Sequence, residues 1–115
     1  MQTEIIDTTV SLAYLRGLAA AGFGDLVKAV VDIEQKIMAV GGELHSDEEA
    51  VLIKRGSEQH HLWGINIYPD LDEDERIEFD SMINIRPAQG NRSRGVDDAA
   101  TRDLILKVVG ELVRR

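Results

Sequence analysis

The sequence predicts an α+β domain over residues 1–115, in the order α-β-β-α-β-β-α: an antiparallel sheet of about four strands built from two hairpins, with three amphipathic helices packed mainly on one face. Three observations carry that expectation. Two β-branched stretches, within residues 26–40 and 61–86, alternate apolar and polar side chains at period two. Three other stretches place their apolar residues at helical spacing and are bounded by capping residues and glycines. No repeat, linker or low-complexity tract divides the chain, and its length suffices for one core burying about two-thirds of the unfolded surface.

Residues 3–6 are read as a short edge strand. Ser11 has the chemistry of a helix N-cap; Leu12, Leu15, Leu18 and Ala19 then share one face, and Gly22 offers a left-handed stop, so a helix is expected over 12–21. Val27, Ala29, Val31 and Ile33 alternate with Lys28, Val30, Asp32 and Glu34, and the run turns through Gln35 and Lys36 into IMAV, which is a hairpin. Gly41 and Gly42 end it where the backbone needs positive φ or close approach to a neighbour. Ser46 followed by Glu49 reads as a capping box opening a short helix over about 47–55 that Gly56 stops. In the second hairpin Trp63, Ile65 and Ile67 face one way, as do Ile77, Phe79, Ser81, Ile83 and Ile85 across an acidic loop. A terminal helix is expected within 96–115, capped by Asp97 or Asp98, with Leu104, Ile105, Val108, Val109 and Leu112 in one stripe.

Composition narrows the function. With 13 basic against 21 acidic residues the net charge is −8, which opposes generic binding to nucleic acid or an anionic membrane. One Trp, two Tyr and two Phe are too few for a base-stacking platform. The absence of cysteine excludes thiol nucleophiles, disulfides and thiolate metal sites. No signal peptide or membrane span is visible at the N-terminus, so a cytoplasmic protein is expected.

The segments GGELHSDEE, LWGINIYP and IEFDSMINIRPAQGNRSRG, the last most specific, resemble those of a family of short bacterial and archaeal proteins known only as a domain of unknown function. The resemblance covers nearly the whole chain. It implies a small stand-alone cytosolic protein and assigns no catalytic residue.

Two constellations stand out. Residues 84–95 carry Arg86, Arg92 and Arg94 with no acid, a positive island on a body that without them has 10 basic against 21 acidic residues. Glycines flank Asn91, Arg92 and Arg94, and the loop feeds a helix N-terminus, so Arg86, Asn91, Arg92 and Arg94 form a candidate anion site; the competing reading pairs Arg92 and Arg94 with Asp72, Glu73 and Asp74. The second constellation is the polar sheet face: Asn66, Tyr68, Glu78, Asp80 and Asn84, with Arg86, joined by Lys28, Asp32 and Glu34. A solvated face and a homodimer interface containing Val30 and Met82 are its structural alternatives. No metal is assigned, because His60 and His61 at adjacent strand positions point to opposite faces and Glu43, His45, Asp47 and Glu48 read as a capping loop. The expected function is a binding or regulatory domain for an anionic small ligand or protein partner, without cofactor and self-associating. The alternative is a small enzyme acting on a phosphorylated or nucleotide-like substrate, with Glu78 or Asp80 as base and the arginines holding phosphate.

Overall fold

The computed structural model describes residues 2–115. Strand β1 (Glu4–Ile6) and the two-residue β2 (Val10–Ser11) precede helix α1 (Leu12–Ala21). Strands β3 (Val27–Asp32) and β4 (Ile37–Val40) form the first hairpin, and helix α2 (His45–Lys54) follows. A 3₁₀ turn (Gln59–His61) leads into β5 (Leu62–Ile67) and the short β6 (Ile77–Glu78). Two further 3₁₀ turns (Met82–Asn84 and Pro87–Gln89) precede helix α3 (Ala99–Leu112) and β7 (Val113–Arg114). No helix among the described residues is long and apolar enough to cross a membrane.

The main sheet has five strands in the order β1-β4-β3-β5-β6, every neighbouring pair antiparallel. Register follows the alternation read from sequence: Val31 lies opposite Met38 and Trp63, and Ala29 opposite Val40 and Ile65. These side chains share one face, and α1 and α3 cover it with Leu15, Ala19, Ile105, Val108, Val109 and Leu112. A small parallel pairing of β2 with β7 joins the start of α1 to the end of α3.

Helix α2 lies on the opposite face, where Leu52 meets Val30, Ala39 and Leu62. The sheet is therefore covered by two helices on one side and by one on the other. That arrangement explains why β3 is buried along almost its whole length rather than on alternate residues. Val30, expected on an exposed dimer surface, is fully buried beneath α2.

Local chemistry accounts for most of the boundaries. Ser11 Oγ accepts from Tyr14 N at 3.0 Å, and Asp98 carboxylate accepts from Thr101 N at 2.9 Å; both caps lie where the sequence places them. The left-handed residue after α1 is Gly24, at φ 102°, whereas Gly22 has φ −117°. Helix α2 begins two residues before the predicted 47, with Leu44 as its N-cap; Ser46 is thus already inside the first turn and forms no capping box. Gly41 supplies the positive φ of 83° expected of the glycine pair, while Gly42 supplies the close approach, since a Cβ there would lie 2.7 Å from Glu48 Cγ.

The second hairpin departs most from the sequence expectation. Its return strand stops at Glu78; Ile83 and Ile85 fall in or beside a 3₁₀ turn, Ile85 and Met82 are exposed, and Ile83 packs on the α2 face. His60 and His61 likewise sit on the turn before β5, not at adjacent positions of a strand, so their side chains are not sent to opposite faces.

Candidate functional site

The chain between β6 and α3 forms an arch held by side-chain amides. Asn84 is fully buried and takes the place of a strand neighbour: its Oδ1 accepts from Gly64 N at 2.8 Å, and its Nδ2 donates to Gly64 O at 2.9 Å and Arg94 O at 3.0 Å. A side chain competing for backbone partners in this way ends regular pairing. Gly64 is required opposite it, because a Cβ there would lie 2.5 Å from Ser81 Cβ. Asn91 repeats the device, with Nδ2 donating to the carbonyls of Asn84 (2.7 Å), Ser93 (3.1 Å) and Gly95 (2.8 Å), and Oδ1 accepting from Asp97 N at 2.7 Å.

Arg86 completes the arch. Its guanidinium lies 4.7 Å from the Trp63 ring centroid and donates to Ile83 O (2.9 Å), Gln59 O (3.0 Å) and Leu62 O, so its fork is spent on backbone carbonyls. Burial lowers its pKa, and Glu49 at 3.8 Å opposes that shift. Within the loop Asp97 accepts from Ser93 Oγ (2.7 Å) and Arg92 N (3.1 Å), contacts that hold its carboxyl below the usual range. The Arg92 side chain is exposed. Asp72, Glu73 and Asp74 do not pair with this loop; Glu73 meets Arg115, and Arg94 pairs instead with Asp80, Nε to Oδ1 at 2.6 Å.

The arch, the N-terminus of α2 and the end of β5 enclose an open cleft of about 610 Å³. Lys28, His45, Asn66, Tyr68, Glu78, Asp80 and Arg94 all line it, with Leu26, Leu44, Met82 and Ile83 as its apolar rim. A second hollow of about 460 Å³, bounded by Glu4, Tyr14, Leu18 and Phe23, shares Leu26 and Lys28 with the cleft. Strand alternation puts Lys28, Asn66 and Glu78 side by side, since Lys28 lies opposite Asn66 and Asn66 opposite Glu78. Asn66 Nδ2 donates to Glu78 Oε1 at 2.8 Å, and Tyr68 OH donates to the same oxygen at 3.2 Å. The other end of the amide, Asn66 Oδ1, is buried and meets no donor among the described residues.

Two cations are available. Lys28 Nζ stands 5.1 Å from the Phe23 ring centroid and has no carboxylate within ion-pair distance among the described residues. Arg94 engages Asp80 through Nε alone, which leaves its terminal nitrogens for another acceptor. His45 is buried at the first turn of α2, and its Nε2 lies 2.7 Å from Ile65 O. A carbonyl only accepts, so Nε2 carries the proton, and Nδ1 holds the lone pair in the neutral ring. Burial lowers the His45 pKa, against the opposing bond to Ile65 O. Burial also raises the Tyr68 pKa, with Glu78 adding to the shift.

Of the residues singled out by sequence, the fold brings together Asn66, Tyr68, Glu78, Asp80 and Arg94, with Lys28. It does not bring Arg86, Asn91 or Asn84 to the cleft surface, because their polar atoms bind backbone. Asp32 is buried in the β3–β4 turn, accepting from Glu34 N, Gln35 N and Ser57 Oγ. His45 was legible only as part of a capping loop; the crossing from β4 to α2 that swings it over β5 leaves no local signal. No curated protein and no solved structure matches the chain. The model of the family described as "Protein of unknown function (DUF5674)" matches residues 4–112, nearly the full length, and the chain belongs to that family.

Proposed function

We propose that this domain is a binding or regulatory module whose cleft takes a small anionic ligand that also carries a hydrogen-bond donor. The observation that carries the reading is the convergence of Lys28, the free edge of Arg94 and the Glu78 carboxylate on one cleft. The two cations meet the anion, and the carboxylates of Glu78 and Asp80 accept from the donor. Arg92 and Arg86 have no part in it. The reading keeps the polar sheet face and, from the arginine loop, Arg94 alone.

The test is thermal unfolding in inorganic phosphate against chloride at matched ionic strength, which removes general screening of an acidic chain. Wild type should gain stability in tens of millimolar phosphate beyond the chloride control, and Lys28→Gln should lose that gain while unfolding normally in chloride. Equal shifts in both salts, or an undiminished phosphate gain in Lys28→Gln, would remove the reading.

One observation favours the alternative of a small enzyme acting on a phosphorylated or nucleotide-like substrate. A neutral His45 with Nε2–H held by Ile65 O offers Nδ1 as a general base. Turnover of a phosphoester panel, abolished by His45→Gln with phosphate stabilisation retained, would establish it. Self-association through the exposed Leu44 and Met82 at the cleft rim is also proposed; a monomer mass in light scattering at high micromolar concentration removes that part.

A further inference from the structure

We infer that the turn entering β5 is a divalent-metal site of the zinc type, formed by Glu58, His60 and His61. Their ligand atoms all lie within 4.8 Å of one another. Glu58 Oε2 is 3.6 Å from His60 Nε2 and 3.8 Å from His61 Nδ1, and the two imidazole centroids are 3.9 Å apart. Two ligands of a tetrahedral ion at bond lengths of about 2.0–2.2 Å are separated by roughly 3.3–3.5 Å. The carboxylate–imidazole distances therefore need a few tenths of an ångström of closure. The rings need somewhat more, which small torsions of the exposed His60 and the half-buried His61 supply.

Backbone and side chains divide the work in a way that suits a metal. The backbone of the turn is fixed at every carbonyl: Glu58 O accepts from His61 N (3.0 Å), Gln59 O from Arg86 Nη1 (3.0 Å), His60 O from Gln89 Nε2 (2.8 Å) and His61 O from Ile33 N (3.1 Å). By contrast, the three side chains make no hydrogen bond among the described residues beyond their own ion-pair contacts. A rigid turn carrying three uncommitted, converging ligands is pre-organised, so little ordering opposes binding. The donor set, two imidazoles and one carboxylate without thiolate, selects a borderline cation such as Zn²⁺, Co²⁺ or Ni²⁺ over Ca²⁺ or Mg²⁺. Three protein ligands leave at least one position of a tetrahedral ion open to water.

This site is independent of the proposed cleft. Its nearest ligand, His61, precedes β5 and lies five residues before Asn66, or roughly 16 Å along the chain at about 3.3 Å per residue. The chain makes the test clean: it has three histidines and no cysteine, and the third, His45, is buried with Nε2 engaged.

The experiment titrates the tag-free full chain with ZnCl₂ by calorimetry and with CoCl₂ by visible absorption. One ion per chain should bind saturably, with Co²⁺ d–d bands whose position reports nitrogen and oxygen ligands. His60→Ala and His61→Ala should each weaken binding by about tenfold or more, with melting temperature in chelator unchanged because neither ring supports the fold. Zn²⁺ should raise the wild-type melting temperature and leave that of the double variant unmoved. No saturable heat, or undiminished affinity in the His60→Ala/His61→Ala double variant, overturns the site.

Discussion

Replacing Asn84 with Ala tests whether a side-chain amide stands in for a strand. Its carboxamide is fully buried and makes three hydrogen bonds of 2.8–3.0 Å, to Gly64 N, Gly64 O and Arg94 O. Alanine leaves the N–H and the carbonyl of Gly64 without partners in the sheet, while Arg94 O keeps the bond from Ser81 N. Each buried unsatisfied group costs about 1–3 kcal/mol. Water entering the vacated space recovers part of that, so a loss of roughly 3–5 kcal/mol is expected. With a urea m-value of about 1.5 kcal/mol/M the midpoint should fall by roughly 2 M or more. Asn84→Asp sharpens the test. Aspartate keeps the acceptor for Gly64 N but, ionised, puts a carboxylate against two carbonyls, so the folded state raises its pKa. A raised folded-state pKa means stability present at low pH and lost as pH rises, so Asn84→Asp should be less destabilised at pH 5 than at pH 8. Equilibrium urea unfolding followed by the fluorescence of Trp63, the single tryptophan, reads both variants. A loss below about 1 kcal/mol for Asn84→Ala, or no pH dependence for Asn84→Asp relative to wild type, would refute the description of the arch.

Three further outcomes follow from the same structure. Glu48 is fully buried; Gly42 N donates to its Oε2 at 2.9 Å, Oε1 has no partner among the described residues, and burial pushes its pKa from 4.5 up to about 9. Because the folded pKa is raised, the contribution of Glu48 is full below about pH 4.5 and declines between there and about pH 9; Glu48→Gln, isosteric and neutral, should therefore gain on wild type as pH rises through that window in urea unfolding, and a constant difference would contradict it. Arg86→Lys removes a fork that spans three carbonyls and should cost roughly 2–4 kcal/mol, with a changed near-ultraviolet signal from Trp63 beneath it; a loss under about 0.5 kcal/mol would show the contacts to be incidental. Phe79 is half-buried against the main core rather than enclosed, so Phe79→Ala should cost about 1–3 kcal/mol instead of the 3–5 kcal/mol of a fully buried ring, as measured by the same unfolding assay.

How much of this was legible in the sequence depends on whether the determining interaction is local. Helix α1 was bounded correctly because Ser11 and the Leu12, Leu15, Ala19 spacing lie within the element itself, and β3 and β5 because alternation is a local signal. The run Phe79-Asp80-Ser81-Met82-Ile83-Asn84-Ile85 also alternates, yet it is not a strand past Glu78: Asn84 reaches 20 positions back in sequence to Gly64, and no periodicity encodes that. Gly64, in the middle of an apolar strand, was the available hint that something approaches closely there. The same holds for the site. Asn66, Tyr68, Glu78 and Asp80 were grouped by strand geometry, whereas His45 joins them only through the path of α2 over the sheet. Arg86 and Asn91 were legible as anion ligands by type, but their donors are consumed by carbonyls whose positions only the tertiary fold fixes.

The central claim is that the polar cleft, not the arginine loop, is the binding surface, and nuclear magnetic resonance titration with inorganic phosphate reads it residue by residue. With chloride held as the matched-ionic-strength reference, saturable shifts are predicted at the Asn66 side-chain amide, the Arg94 Nε–H and the backbone amides of His45 and Ser46, with Arg92 and Gly90 unmoved. Shifts confined to residues 89–95, or none beyond the chloride reference, would contradict the account.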